Sequence, residues 1–517
     1  MRLALSLLLA VLLIALYFTG LVKWLRVAQR EHYIASSVTR FYLRWARAAL
    51  RGFGYSGGRS FVGLVASLLI LVAAAAATSA AVRPWIVCSL LSAIVTGRLP
   101  LKGRTGKLAW TRRLKLLAAV ALAQALLLVL VMTLLVHNAL IGLAVAATLV
   151  APSLDLALVV RRRPEDRSAR HFTQRASERL ARVSPRVVAI TGSFGKTSTK
   201  QHLTSLLGDS RGVVASPRSF NNRAGLSRAI SEGLSDDARI FIAEMGTYGP
   251  GEIADLCTWC HPDIAVVTAI GPVHLERMGS LEVIESAKFE ITSGVATVIL
   301  NVDDERLASW PARLTGTRVV RAGTTSDCDV AVREVEGRWE ILLAGELLGS
   351  TNLVAGVQPT NLACSLAAAL ELGLGRDEVL EAVTRVHAVA NRSAVMTSAS
   401  GVTIIDDTFN ANPSSASSAL RTLLTQPITG RRVVVTPGLV ELGSSQVREN
   451  RNLGAAIAAF GAELIVVGST NAGPLSQGFG PGAVFVQYRE EATRWVRGTL
   501  AIHDAVLYLN DLPDHYP

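Results

Sequence analysis

From Arg186 to Ile190 (RVVAI) the chain is a short apolar run. It ends at once in Thr191-Gly192-Ser193-Phe194-Gly195-Lys196-Thr197-Ser198, and a helical stretch follows from Thr199 to Leu207. A strand, a glycine turn and a helix N-terminus in that order form an anion cradle, because free backbone N–H groups and the helix dipole converge there. Gly192, Ser193, Gly195, Lys196, Thr197 and Ser198 are therefore the expected nucleotide-phosphate contacts. Lys196 would reach the outer phosphates and the Thr197 hydroxyl would ligate Mg²⁺. The common phosphate loop, GxxxxGK[ST], needs glycine where this chain has Ile190, so the loop here, GxxGKT, is two residues shorter.

Charge divides the chain unevenly. Residues 1–170 carry 22 Lys+Arg against 4 Asp+Glu, a net +18, and the remaining residues carry 30 against 36, a net −6. The basic balance belongs to the N-terminal third and does not point to a nucleic-acid partner. Five cysteines, Cys88, Cys257, Cys260, Cys328 and Cys364, are scattered and odd in number, which is not a disulfide framework. Cys257-Thr-Trp-Cys260-His261 has the spacing of a haem attachment site but sits in a region of soluble α/β pattern, so we expect free thiols there.

Residues 3–22 form an apolar run of the length needed to cross a bilayer, about 20 residues. No small-residue cleavage site follows, so an anchor is expected and not a removed signal. Further apolar runs lie at 61–82, 84–97, 116–136 and 139–160, with breaks at Pro84 and at His137-Asn138. Basic clusters at 23–60, at 98–115 and at Arg161–Arg163 should all face the cytoplasm. Five spans with an outside N-terminus satisfy all three. The expectation is a multi-pass protein of the cytoplasmic membrane with its remaining domains in the cytoplasm. Asp155, inside the last run, is expected to pair or snorkel near Arg161.

More motifs follow the phosphate loop in order. They are Ser219-Phe220-Asn221-Asn222-Arg223-Ala224-Gly225, Glu244-Met245-Gly246 with Pro250-Gly251-Glu252-Ile253, and Thr268–Glu276 (TAIGPVHLE). Then come Ala287-Lys288-Phe289-Glu290, Asn361 opening an alanine-rich helix, Asn391-Arg392, Asp406–Pro413 (DDTFNANP) and Val440-Glu441-Leu442-Gly443. Over roughly 185–517 this succession resembles the Mur ligases, and within them most closely the branch that adds D-alanyl-D-alanine. It departs from their pattern at Gln358-Pro359, at Phe409 in place of tyrosine, at Pro437-Gly438-Leu439 and in the tail after Asn510. The membrane runs occupy the place of that family's uridine-binding domain.

The apolar runs give an α-helical multi-span region at 1–165, and the resemblance implies a central P-loop α/β ATPase domain at 171–391 and a Rossmann-like C-terminal domain at 392–517. It also implies the chemistry, ATP-dependent formation of an amide bond through an acyl phosphate. The carboxylate would belong to a cell-envelope precursor, lipid-linked or UDP-linked, and the amine to an amino acid or dipeptide. Lys196, His274, Lys288 and Asn222 are implied in catalysis. Asn361, Arg392 and Asp407 are implied at ATP. Thr197, Glu244, His274 and Lys288, the last as a carbamate, are implied around two Mg²⁺ ions, and Asn221, Asn410 and Asn412 at the substrate. Two other readings remain: a membrane-tethered ligase of the poly-γ-glutamate synthase type, and a nucleotide-gated membrane sensor or transporter. DDTFNANP speaks against the first. The scarcity of polar residues within the spans speaks against the second.

Overall fold

The computed structural model describes residues 2–51, 82–97, 99, 108–208, 211–217, 220–352, 354, 356–387, 394–408, 411–512 and 516. The chain divides into two compact units, residues 1–166 with 512–517, and residues 167–511. Tyr516 thus groups with the first unit, where it meets the Phe41 ring edge-on at 4.8 Å. The sequence had assigned this residue to the C-terminal lobe.

The first unit is helical. Among the described residues two helices are long and apolar enough to cross a membrane, Ser6–Arg30 and Arg112–Val136; a bent pair, Ala139–Thr148 with Val150–Arg161, makes a third if it counts as one span. Arg83–Gly97 is apolar but shorter, and the run at 61–82 lies outside the described residues except at Val82. The run 139–160, expected as one span, is bent by 78°. The cause is Pro152, which has no N–H to give the Thr148 carbonyl and whose ring crowds that carbonyl. The Ser92 hydroxyl donates to the Thr148 oxygen instead, at 3.3 Å.

Two buried charges serve helix ends here. Asp155 accepts the backbone N–H groups of Val38 (3.3 Å) and Thr39 (2.8 Å), the first turn of the helix Ser37–Arg51. Free N–H groups and a positive dipole end make that a favourable seat for a carboxylate. Its expected pairing with Arg161 is therefore corrected. Lys23, at the other end of the logic, donates to the carbonyls of Thr96 and Gly97, each at 2.9 Å, closing the C-terminus of Arg83–Gly97.

The second unit holds two sheets. The larger has the order β2(Val213–Ala215), β3(Ile240–Glu244), β1(Arg186–Thr191), β4(Ile264–Val267), β5(Thr297–Asn301), β6(Arg318–Gly323), β7(Val330–Val335), β8(Arg338–Leu343), β9(Glu346–Asn352). It is parallel as far as β7, and β7–β8–β9 is antiparallel. Alternate residues face opposite layers, the period of a strand. Val188, Ile190, Ile242, Val266 and Ile299 pack on Leu203 and Leu206 of the helix Lys196–Leu207 and on Leu362 and Leu366 of the helix Pro359–Glu371. Val187, Ala189, Phe241, Ala243, Val267 and Leu300 pack on Leu226, Ile253, Leu256 and Ile284. With both faces covered, the central strands read as unbroken apolar runs.

The antiparallel extension was not anticipated. Its two connections are each two residues in the left-handed region, Glu336-Gly337 (φ 49° and 73°) and Ala344-Gly345 (φ 50° and 81°). That is the turn whose twist matches a hairpin.

The smaller sheet has the order β10(Ala394–Thr397), β11(Thr403–Asp407), β15(Ala505–Leu509), β12(Arg432–Thr436), β13(Glu463–Val467), β14(Val484–Val486). All pairs but β10–β11 are parallel. Its core places Ile405, Val434, Leu464 and Leu507 against Leu420, Leu453 and Ile457.

His202, on the helix that follows the phosphate loop, is 2% exposed, and neither ring nitrogen has a hydrogen-bond partner among the described residues. Burial pushes its pKa down to about 4. The unfolded chain therefore binds a proton in a pH range where the folded chain does not. The stability this residue contributes is complete above about pH 6.5 and drains as pH falls toward 4, by about 3 kcal/mol in full. His202→Phe should flatten the decline in thermal midpoint between pH 7 and 4.5. Parallel declines in the two proteins would show that His202 is not the group responsible.

Candidate active site

The phosphate loop leaves the end of β1 between two neighbours fixed by register, Ile190 opposite Glu244 of β3 and Thr191 opposite Val267 of β4. It is stitched to the segment after β4. The Ser193 N–H donates to the Ala269 carbonyl (2.8 Å), while the Ser193 hydroxyl donates to the Gly271 carbonyl (3.0 Å) and accepts from the Gly271 N–H (2.8 Å). Thr268 donates its hydroxyl to the Phe194 carbonyl. Gly195 has φ 85°, and a Cβ there would lie 2.3 Å from Oδ1 of Asn361, so the loop and Asn361 approach as closely as they do only with glycine. Ser198 is buried behind the loop. The Lys196 ammonium folds over the loop and donates to the Gly192 carbonyl at 2.6 Å.

Beside the loop is a cleft of about 410 Å³ lined by Lys196, Asn221, Tyr248, His274 and Lys288, with Gly192, Ser193, Gly246, Thr247, Val273, Met278 and Ile284. Four of the expected residues, Lys196, Asn221, His274 and Lys288, thus meet in one place. Lys288 is 5% exposed, and burial together with the nearby Lys196 charge holds its pKa well below the ordinary lysine range.

Glu244 stands behind the cleft at 1% exposure. One carboxylate oxygen accepts from the Thr197 hydroxyl (3.0 Å) and pairs with Lys200 (2.9 Å); the other accepts from the Asn221 amide (3.3 Å). Lys200 also donates to the Ser216 carbonyl at 2.8 Å. Thr197 and Glu244 are therefore adjacent, as a shared metal site needs. Lys200 had no assigned role in the sequence, although it lies one helical turn after Lys196 in GKTSTK, the spacing that puts two side chains on one helix face. Gly246 completes the arrangement: its N–H donates to the Asn221 carbonyl at 2.7 Å, and a Cβ would come within 2.9 Å of the Asn221 amide.

His274 sits in the left-handed region, φ 59°. Its Nδ1 meets a carboxylate oxygen of Glu441, from the loop after β12, and its ring lies edge-on to Tyr248 at 4.8 Å. The other Glu441 oxygen accepts from Arg277 at 3.1 Å. Val-Glu-Leu-Gly was quoted as a motif in the sequence without a task for its glutamate.

Other expected residues do different work. Asn222 and Asn412 are helix caps: Oδ1 of Asn222 accepts the Gly225 N–H (3.0 Å) at the start of Arg223–Gly233, and Oδ1 of Asn412 accepts the Ser415 N–H (3.0 Å) at the start of Pro413–Thr425. Neither lines the cleft, and capping is a task that asparagine favours. Asp407 is buried at the end of β11 and is not among the cleft residues. Arg392 and Asn410 lie outside the described residues. Cys257 and Cys260 are buried thiols in the helix Glu252–Cys260, and burial pushes Cys257 up to about 12. Among the described residues no three His, Cys, Asp or Glu side chains cluster as metal ligands.

A P-loop at the edge of a parallel sheet, facing a smaller parallel α/β lobe, defines a nucleotide-binding two-lobed enzyme fold. The sequence matches the Mur ligase middle domain over residues 190–369 and the Mur ligase glutamate ligase domain over 391–509. Together these matches span more than half of the chain, and the chain belongs to the Mur ligase family. Among its relatives is the UDP-N-acetylmuramoyl-tripeptide–D-alanyl-D-alanine ligase of Mycobacterium tuberculosis, 36% identical over 299 residues, 55% of this chain and 58% of that protein. The Bacillus subtilis ligase of the same name is 29% identical over 294 residues, 55% of this chain and 63% of that one. The chain thus spans about three fifths of the length of these relatives. The MurF ligase of Thermotoga maritima, solved in complex with ADP, superposes with a TM-score of 0.59 at 26% identity, covering 66% of this chain and 80% of that one. A MurF from Acinetobacter baumannii, 24% identical with a TM-score of 0.58 over 66% of this chain and 77% of that one, shares the fold.

The Lys200–Glu244 pair is testable by itself. Removing one partner of a buried pair leaves an uncompensated charge, at a cost of about 3–5 kcal/mol. Lys200→Met should lower unfolding stability by that order, and adding Glu244→Gln should recover much of it. A double variant no more stable than K200M alone would mean that the pair is not what Lys200 supplies.

Proposed function

We propose that this protein is an ATP-dependent peptide ligase that joins D-alanyl-D-alanine, or a similar amine, to the carboxylate of a UDP-N-acetylmuramoyl-tripeptide-like precursor of peptidoglycan. The observation that carries the reading is the convergence of Lys196, Asn221, His274 and Lys288 on one cleft at the phosphate loop. The relatives' own activity supports it.

In this reading a substrate carboxylate oxygen attacks the γ-phosphorus of ATP, the bond to the β-phosphate oxygen breaks and ADP leaves. The amine then attacks the acyl carbon, phosphate departs and the amine loses a proton. Both steps gather negative charge where Lys196 and the backbone N–H groups of the loop can meet it, which is how fixed donors lower such barriers. Asn221, held by Glu244 and Gly246, positions an amide beside that charge. The residues fit a divalent ion shared with phosphates. Glu244 and the Thr197 hydroxyl are adjacent oxygen donors, and Mg²⁺ commonly takes one or two carboxylates, phosphate oxygens and water. When bound, Mg²⁺ supplies charge neutralisation on the transferred phosphoryl group. His274 and Lys288 line the same cleft. Burial favours the neutral amine of Lys288, the form that reacts with carbon dioxide, and this supports a carbamate there as a ligand for a second ion. Asn361 is read as an adenine contact, and Arg392 and Asp407 as ATP contacts from the C-terminal lobe. Residues 171–391 and 392–511 are then the central and C-terminal ligase domains.

Lys196→Ala removes the ammonium that faces the phosphates. ADP release in the presence of UDP-N-acetylmuramoyl-tripeptide and D-alanyl-D-alanine should fall by on the order of 10²–10³. Turnover at the wild-type rate would remove the loop from the mechanism.

We further propose that residues 1–165 are a multi-pass anchor in the cytoplasmic membrane, five spans with the catalytic lobes in the cytoplasm. Two or three span-length helices and the basic clusters beside them support this. An anchor raises the effective concentration of an acceptor held in the same bilayer. The full chain in lipid nanodiscs should therefore ligate a lipid-linked tripeptide faster than the UDP-linked one. The opposite preference would make the anchor a passive tether beside a soluble substrate.

A further inference from the structure

We propose that Glu441 is a positioning residue for His274. This rests on the ligase reading for its activity test, but not for its geometry. A carboxylate can only accept a hydrogen bond, so the His274 Nδ1 that faces Glu441 must carry the proton. That leaves Nε2 as the ring nitrogen that Glu441 does not engage. His274 lines the cleft, and the residue that selects its tautomer comes from the other lobe.

Three features show that the contact is built. Both partners sit in the left-handed region, His274 at φ 59° and Glu441 at φ 63°, a conformation that residues with side chains keep only when their surroundings hold them. The contact is also multiple: Glu441 takes Arg277 on its second oxygen, and its carbonyl accepts the Glu276 N–H at 3.2 Å.

Third, the loop that carries Glu441 is pinned by three buried asparagines from three separate elements. Asn450 accepts from the Leu439 N–H (2.8 Å) and donates to the Leu439 carbonyl (2.9 Å). Asn471 donates to the carbonyls of Pro437 (3.0 Å) and Leu439 (3.1 Å). Asn510 donates to the Gly438 carbonyl at 2.7 Å. These residues are 0%, 2% and 5% exposed, so these backbone polar groups of the loop are answered by protein and the loop is held from within its own lobe. Asn510 also accepts the Ala411 N–H (3.2 Å), and its own N–H donates to the Asp407 carbonyl (2.9 Å). The DDTFNANP segment and the Glu441 loop are thus tied through one residue.

The test is Glu441→Ala in the full-length protein, followed in two ways. With UDP-N-acetylmuramoyl-tripeptide, D-alanyl-D-alanine and ATP, kcat should fall about 10- to 100-fold, the usual effect of losing the group that orients a working histidine. KM for ATP should change far less, and E441Q, whose amide oxygen still accepts from Nδ1, should recover most of the loss. A purely structural role would instead lower the thermal midpoint and move kcat and KM together. Independently of substrate, ¹⁵N NMR of labelled histidine, assigned with His274→Gln, should show the Nδ1–H tautomer in wild type and a shift toward Nε2–H in E441A. If E441A does not fold, E441S, too short to reach the ring, carries the same comparison. Wild-type kcat in a folded E441A or E441S, or an unchanged tautomer, overturns the proposal. Absence of ligase turnover in the wild-type protein would instead count against the ligase reading, and the tautomer comparison would still decide the role of Glu441.

Discussion

A carboxylate with almost no access to water must be answered by protein, and the arrangement around Glu244 follows from that need. Its place is set by backbone register, because β1 and β3 run parallel with Ile190 opposite Glu244. The phosphate loop therefore begins beside the residue that ends the neighbouring strand. Lys200, Thr197 and Asn221 then supply a charge and two hydrogen bonds from two different segments. Two of the three come from the helix that the loop starts, so the loop, its helix and the Asn-rich segment are mutually located through one carboxylate. Such a pair adds little net stability compared with an apolar core, but it penalises every arrangement in which the partners fail to meet.

The second lobe uses the same economy. A loop rich in glycine and proline has few side chains with which to hold itself, so its backbone must be held by others. Asn450, Asn471 and Asn510 do so because an amide both donates and accepts and can serve a backbone N–H and carbonyl together. The departure of Pro437-Gly438-Leu439 from the family pattern therefore coincides with a loop held by side chains from outside it.

The fold of residues 186–509 was legible because its strands are buried on both faces and stand between helices, which makes apolar runs such as IFIAE and AVLYL unmistakable. The β7–β8 and β8–β9 hairpins were less so, since Glu336-Gly337 and Ala344-Gly345 are weaker turn signals than Asn-Gly. Lys196, Asn221, His274 and Lys288 could be named from motif order, and the cleft unites them. The caps formed by Asn222 and Asn412 were not read, because an asparagine that opens a helix and one that touches a substrate look alike in sequence. The difference is whether Oδ1 has a backbone N–H two or three residues on, which only coordinates reveal. Lys200 and the contact made by Glu441 escaped notice because each has its partner far away in the chain.

The helical unit shows why charge counts alone are a coarse guide there. Lys23 was counted with the loop charges that set orientation, yet its ammonium closes a helix end inside the bundle. Asp155, the costly exception in an apolar run, sits at the one kind of place where backbone offers several N–H groups without partners of their own. Arg40, Arg44 and Arg47, from the same basic segment, lie on an amphipathic helix. The bend at Leu149 follows from the same backbone logic. A proline that cannot serve a carbonyl is tolerated in an apolar helix when a neighbouring hydroxyl can, and Ser92 does so for Thr148.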